Sequence, residues 1–391
     1  MKLDTSHMRY LSKTDFRVLT AFELGSKNHD IVPTPLVVSI SGIKNQSAVH
    51  RSISTLAKIK LIAKQKNAKY DGYKLTYHGY DYLALKAMVE RESIYAVGTQ
   101  VGIGKESDIF SVANKDGEVL CLKAHRLGRI SFRTVKKNRD YLGHRTHASF
   151  TYLSRLAAQK EFTFMKVLYD AGFSVPVPVD HSRHLVVMSM IDGLPLRKLR
   201  EHPDPERLFN TLMDFILKLA NHGLVHCDFN EFNILVQEFD PEAPEKEIVA
   251  IDFPQCVSID HPEAQAFFER DVNGIRQFFQ TKFAFDGDYP EWDQVERVGK
   301  LDIAANASGN DKKGMRELEK HLAKMSLMEE EENDGKSDSG ASTDDSMTDN
   351  EEEDDNDEES EDGGDDGEDG ESDNSQEIKQ EALGQQPLQI S

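Results

Sequence analysis

The stretch HCDFNEFNIL, residues 226–235, sets an aspartate and an asparagine five positions apart, Asp228 and Asn233, and then runs straight into an apolar segment. A helical pattern ending in ANHGLVH leads into it, and nineteen residues after Asn233 a second apolar run, EIVAIDFPQ, ends in Asp252. A loop entering one strand and the end of a second strand must meet for these three polar side chains to face one point. That requires a mixed fold of helices and strands. Asp228 by itself could be a helix cap or a turn residue. The three at these intervals predict a phosphate-handling site, in which Asp228 is the catalytic group that orients the attacking atom. Asn233 and Asp252 then supply the metal. Two oxygen ligands of this kind suit magnesium, which keeps waters and completes its shell from a nucleotide.

Upstream, GTQVGIGKESD (98–108) joins two strand-like segments. Gly102 and Gly104 allow close approach of backbone to phosphate, Ser107 stands where a third glycine is usual, and Lys105 and Glu106 complete the turn. The strand Tyr95–Val101 precedes this turn. A hairpin follows through DIFSVANKDGEVLCLK, with its own turn at Asn114–Gly117. It ends on Lys123, an ammonium in an apolar strand that needs a partner. The helix predicted over Tyr152–Ala171 offers one: Leu153, Ala157, Glu161, Phe164 and Leu168 share a face, so Glu161 lies within an apolar stripe. Together Lys123 and Glu161 would hold the α- and β-phosphates of ATP. Val112, Met188 and Ile251 are the expected walls of an adenine slot. The backbone of Ser189, Met190 and Ile191 is expected at its edge. Further elements are a strand at Leu185–Met188, a linker SMIDGLPL, a helix Pro205–Asn221, a strand Ile248–Asp252 and a helix Arg270–Phe283.

Charge divides the chain of 391 residues. Residues 329–373 hold 25 Asp or Glu and one Lys, a net −24, so the overall −22 leaves about +2 for the rest. Such a segment cannot bury a core and is expected to be a disordered tail. Its serines and threonines, as in SDSGASTDDSMTDNEEE, suit acidophilic kinases or a polyanion mimic, with a purely solubilising tail the favoured reading, and LEKHLAKMSLM (318–328) has the apolar spacing of an export signal, a docking helix or a segment packed on the kinase lobe. Residues 125–148 carry seven Arg or Lys against one Asp, and residues 1–90 carry fourteen against seven. Within 1–90 the pattern reads as three helices (Asp15–Leu24, Pro33–Ser41, Ser47–Ile59), a basic hairpin (Leu61–Lys74) and a closing helix (Thr76–Val89), the layout of a winged helix-turn-helix. His50, Arg51, Lys58 and Lys60 would flank the third helix, and Lys64, Lys66 and Lys69 the wing, as RNA contacts. A solvated basic face is the plainer alternative. No run of 18 apolar residues suggests a membrane span, no signal-peptide pattern opens the chain, and the three cysteines (Cys121, Cys227, Cys256) have no paired spacing.

Taken in order, VGIGKESDIF, LCLKAHRLGRISFRTVKKNRDY, YLSRLAAQKEFTFMK, HCDFNEFNIL and IDFPQ resemble the RIO family of atypical kinases, and the winged-helix region resembles its Rio-two subfamily. The resemblance covers about residues 1–310. It implies an α+β architecture: a winged helix-turn-helix domain (1–90), a shortened two-lobed kinase-like domain (91–310, lobes 91–188 and 192–310), and a C-terminal region (311–391) with the acidic tail. No activation segment or peptide-docking subdomain is implied, and no A-P-E motif follows Asp252. The family's flexible basic loop maps onto residues 125–148. The resemblance further implies ATP and Mg2+ as cofactors, with Asp228 catalytic, Asn233 and Asp252 on the metal, Lys123 on the phosphates, and Asp252 as a candidate phospho-acceptor. It also implies action on the precursor 40S ribosomal particle and its rRNA, with other assembly factors, in the cytoplasm with shuttling through the nucleus, by a monomer that does not enter membranes. Pro254 stands where the glycine of a D-F-G motif would be, which restrains that segment. A small-molecule phosphotransferase of the aminoglycoside or choline kinase type shares H-x-D-x-x-x-x-N, and an ATP-binding RNA scaffold without catalysis is the third reading.

Overall fold

The structure is a computed structural model and describes residues 3–64, 70–127 and 146–307. The chain opens with three helices, α1 (Lys13–Gly25), α2 (Thr34–Ser41) and α3 (Gln46–Lys58). Two of the starts, those of α1 and α3, are written locally as side-chain caps. Ser12 and Asp15 form a capping box on α1, and the Asn45 side chain accepts from Ala48 N–H on α3. The strands β1 (Val32–Pro33), β2 (Ile62–Lys64) and β3 (Gly72–Leu75) form a small antiparallel sheet in the order β1-β3-β2. With the hairpin β2–β3 after α3, this is a winged helix-turn-helix. Helix α4 (Tyr77–Glu90), capped by Thr76, closes the unit.

A five-stranded antiparallel sheet follows: β4 (Ala96–Ile103), β5 (Ser107–Ala113), β6 (Val119–His125), β7 (Pro178–Ser182) and β8 (Leu185–Ser189), in the order β4-β5-β6-β8-β7. Alternation sends its side chains to two different cores. Phe110, Val112, Leu120, Leu122, Ala124, Leu185 and Val187 join one cluster with α4 residues such as Leu85 and Met88. Val186 and Met188 join the other, with helix α5 (Thr146–Asp170) and the second lobe. The winged-helix unit is thus packed against the back of the sheet, and the front is left to α5 and the cleft.

The second lobe is built on α6 (Pro205–Asn221) and α7 (Ala264–Phe283). Around them lie β9 (Leu194–Pro195), β10 (Leu224–Val225), β11 (Ile234–Val236), β12 (Ile248–Ala250) and β13 (Val257–Ser258), and the short helix α8 (Leu301–Ala307). Three corrections to the expected elements follow. The supposed linker contains β9, whose proline is tolerated because β9 is an edge strand beside β11. Helix α7 starts at Ala264 rather than Arg270, and the strand expected to reach Asp252 ends at Ala250. The acidic tail, LEKHLAKMSLM and most of the basic 125–148 stretch lie outside the described residues. Among the described residues no helix is long and apolar enough to cross a membrane.

Candidate active site

Lys123 projects from β6 to the front of the sheet. Its ammonium lies 2.8 Å from Glu161 Oε1 on α5 and 2.9 Å from Asp252 Oδ1. The apolar stripe of α5 accounts for the first contact: Leu153, Ala157, Glu161, Phe164 and Leu168 are all buried. Burial alone would lower the Lys123 pKa, but the carboxylates of Asp252 and Glu161 outweigh it and raise the ammonium. Burial would likewise raise Glu161, yet Lys123 and His125 bring it down to about 2. His125 Nε2 stands 2.5 Å from Glu161 Oε2, a neighbour the sequence reading missed.

Asp228 and Asn233 meet across the loop between β10 and β11. Asn233 Nδ2 donates to Asp228 Oδ2 and to the Asp228 carbonyl, each at 2.9 Å. Asn230 Nδ2 donates to Asp228 Oδ1 at 2.7 Å. The amide nitrogen of Asn233 is therefore turned to Asp228, which leaves its oxygen to face a cation. The Ile251 N–H donates to the Asn233 carbonyl at 3.0 Å, so the residue before Asp252 is tied to the asparagine. Burial, then the charges of Asp252 and Asp271, push the Asp228 carboxyl up to about 8, while the Asn233 hydrogen bond partly offsets this.

Two non-glycine residues here have left-handed backbone, Cys227 (φ 68°) and Asp252 (φ 72°). Such conformations cost energy and persist where the surroundings enforce them. At Cys227 the enforcing groups lie on α7. The Asp271 carboxylate accepts from the N–H of Cys227 at 2.9 Å and of Phe229 at 3.1 Å, and Arg270 Nη2 donates to the Cys227 carbonyl. Burial raises Asp271 to about 7, although these backbone donors and Arg270 oppose the shift. Asp271 and Arg270 were not expected from the sequence. A buried carboxylate on an amphipathic helix was the available signal.

The glycine turn joins β4 to β5. The Gly104 N–H donates to the Ser107 carbonyl at 2.7 Å, and a Cβ on Gly104 would stand 3.2 Å from that same oxygen. Gly102 lies in β4 opposite Ile109, and Lys105 is exposed while Glu106 and Ser107 are half-buried. The adenine slot needs correction. Val112 belongs to the rear core beside the winged helix, because β5 turns Phe110 and Val112 to the back. Met188, and Cys121 opposite it on β6, face the front. The Ser189 N–H is engaged by the Val177 carbonyl at 2.9 Å, so it cannot serve an adenine edge; Met190, Ile191 and Ile251 are half-buried around the crossing. Of the basic candidates, Arg51, Lys58, Lys60 and Lys64 are exposed on α3 and the start of the wing, far in sequence from the cleft, and Lys64 pairs with Asp71 at 2.9 Å. Lys66 and Lys69 lie outside the described residues.

The donor chemistry fits magnesium: one amide and one carboxylate oxygen, and among the described residues no cluster of three His, Cys, Asp or Glu of the kind that retains zinc. Family models match in two stretches, the Rio2 N-terminal family over residues 8–91 and the RIO domain over residues 108–291. The serine/threonine-protein kinase RIO2 of Saccharomyces cerevisiae is 50% identical over 347 residues, covering 83% of this chain and 82% of its own length. Its Schizosaccharomyces pombe counterpart is 52% identical over 324 residues, covering 82% and 92%. The crystal structure of the Rio2 kinase-ADP/Mg2+-phosphoaspartate complex from Chaetomium thermophilum superposes with a TM-score of 0.76 at 51% identity, covering 84% of this chain and all of that one. With the cleft geometry, these likenesses show that the chain belongs to the Rio2 family of RIO-type serine/threonine-protein kinases.

Proposed function

We propose that this kinase moves the γ-phosphoryl group of ATP to Asp252 and then to water, and that the cycle drives late maturation of the precursor 40S subunit and the enzyme's own release. The observation that carries the chemistry is Asp252 itself. It sits at the cleft in a left-handed conformation, with Lys123 at 2.9 Å and the loop of Asp228 and Asn233 beside it. A 51%-identical Rio2 kinase holds ADP, Mg2+ and a phosphoaspartate together.

Lys123, fixed by Glu161, orients the phosphates, and the glycine turn covers them. Magnesium, held by the Asn233 oxygen and Asp252, neutralises charge on the phosphates. An Asp252 oxygen attacks the γ-phosphorus, the bond to the β,γ-bridging oxygen breaks, and ADP leaves with that electron pair. Water then attacks the phosphorus of the acyl phosphate. Asp228, aimed at the cleft by Asn230 and Asn233, accepts its proton, and the Asp252 carboxylate is restored. The exposed Arg51, Lys58, Lys60 and Lys64 support rRNA as the partner, since such a face binds phosphate backbones with strong salt dependence. ATP turnover with and without purified precursor particles tests the reading. Particle-dependent turnover that Asp228→Ala abolishes supports it. Turnover indifferent to particles, or fast in Asp228→Ala, would break it.

A further inference from the structure

Arg126 holds two elements at once. It follows β6 directly, three residues after Lys123, and is 4% exposed. Its backbone N–H donates to the Glu106 carbonyl at 2.5 Å, one step beyond the Ser107–His125 pair of the β5–β6 ladder. Its guanidinium forks onto both oxygens of Asp81 on α4, at 2.7 and 2.9 Å. Nη1 also stands 3.0 Å from His184 Nε2, and Nε lies 3.6 Å from Asp108 Oδ2 on β5. Asp81 is 1% exposed. Glu106, in the middle of the glycine turn, therefore takes its place from a residue whose side chain is seated in the winged-helix unit.

A second arginine crosses the same seam without that connection. Arg183, at the tip between β7 and β8, donates to both carboxylate oxygens of Glu23 on α1, at 2.6 and 2.7 Å, and to the Leu83 carbonyl on α4. None of these partners belongs to the glycine turn. The pair provides an internal control.

We infer that Asp81 is a positioning residue for the phosphate-binding turn, acting through the Arg126–Glu106 contact, so that the winged-helix unit forms part of the nucleotide site. The inference rests on the reading of the cleft as an ATP site. Without the Asp81 charge the buried guanidinium loses its forked acceptor and turns toward Asp108. That movement draws the Arg126 N–H from Glu106 and loosens the turn over the phosphates. On the same reading of the cleft the adenosine end lies against Met188 and the residues after it, which Arg126 does not touch.

Asp81→Asn in the full chain tests this, with binding of ATP and of adenosine measured beside steady-state turnover. The KM for ATP and the ATP dissociation constant should rise about tenfold, within the ordinary range of coupling between sites. The kcat should stay within about twofold, the signature of lost ground-state positioning, and adenosine should bind as to wild type. Arg183→Lys should leave the ATP constants unchanged. Unchanged ATP affinity in Asp81→Asn, parallel loss of adenosine and ATP, or an equal rise in Arg183→Lys would overturn the inference. Should Asp81→Asn not fold, Arg126→Lys, which keeps the backbone donor and the charge but not the fork, carries the same expectations. Wild-type chain that binds adenosine and ATP equally would instead break the reading of the cleft.

Discussion

The seam between the winged helix and the sheet, and the cleft in front of the sheet, are both laced with ion pairs, but they are charged differently. In the seam each carboxylate meets a forked guanidinium: Glu23 with Arg183, Asp81 with Arg126, and Asp180 with Arg91 at 3.0 and 2.9 Å. In the cleft a single ammonium, Lys123, is shared by Glu161 and Asp252, and Asp228 is held by amides alone. The consequence appears in the carboxyls. Burial opposes ionisation at both, but Arg126 and His184 bring Asp81 below its usual value, whereas Asp228 is pushed up to about 8. A matched network fixes two bodies to each other. A network short of positive charge is completed by a cation and its nucleotide.

Breaking the cleft should cost activity before stability. Asp228→Asn is expected to lower ATP turnover by about 10³-fold, within the range for a lost general base, measured at saturating ATP. Breaking the seam should do the reverse. Asp81→Ala strands the Arg126 guanidinium and should cost about 4 kcal/mol of unfolding free energy in urea, with the active-site side chains intact. This cost is larger than that of Asp81→Asn, which retains an acceptor.

Acid should sharpen the contrast. Burial holds His184 down to about 4, against the ordinary 6.5. Its folded pKa is depressed, so the unfolded chain binds the extra proton between those values. The stability is whole above about pH 6.5 and is lost as pH falls toward 4, by roughly 3 kcal/mol at most. Urea midpoints across that window check it, and His184→Gln should flatten the slope. The smallest effect runs the other way. The raised Asp228 pKa makes its carboxyl a liability, absent below about pH 3.8 and growing as pH rises toward 8. Asp228→Asn should therefore raise stability at neutral pH while activity is lost, with the gain held to about 1 kcal/mol because asparagine has one acceptor oxygen for the two amides of Asn230 and Asn233.

Much of this division was legible in the chain. The interval from Asp228 to Asn233 to Asp252 and the α5 stripe through Glu161 depend on local periodicity, and the structure brings these groups together. Val112 was misplaced because β5 is covered on both faces. Phe110, Ser111 and Val112 are all buried, so polarity does not mark which side meets the cleft. Asp271 and Arg270 act 42 to 44 residues from the loop they hold, so the helix pattern that buries Asp271 does not show what it holds. Asp81 and Arg126 read as an ordinary helix residue and one more base in a basic stretch, because only the packing of α4 on the sheet brings them together. The left-handed Asp252 carries no signature, since its neighbours read as plain strand.

The most direct test is to quench the enzyme during turnover of γ-labelled ATP and analyse the protein-bound phosphate. Wild-type chain should carry label that hydroxylamine releases, as an acyl phosphate does, and Asp252→Ala should carry none while still binding ATP. Label that persists in Asp252→Ala, or resists hydroxylamine as a serine or threonine ester would, contradicts Asp252 as the acceptor.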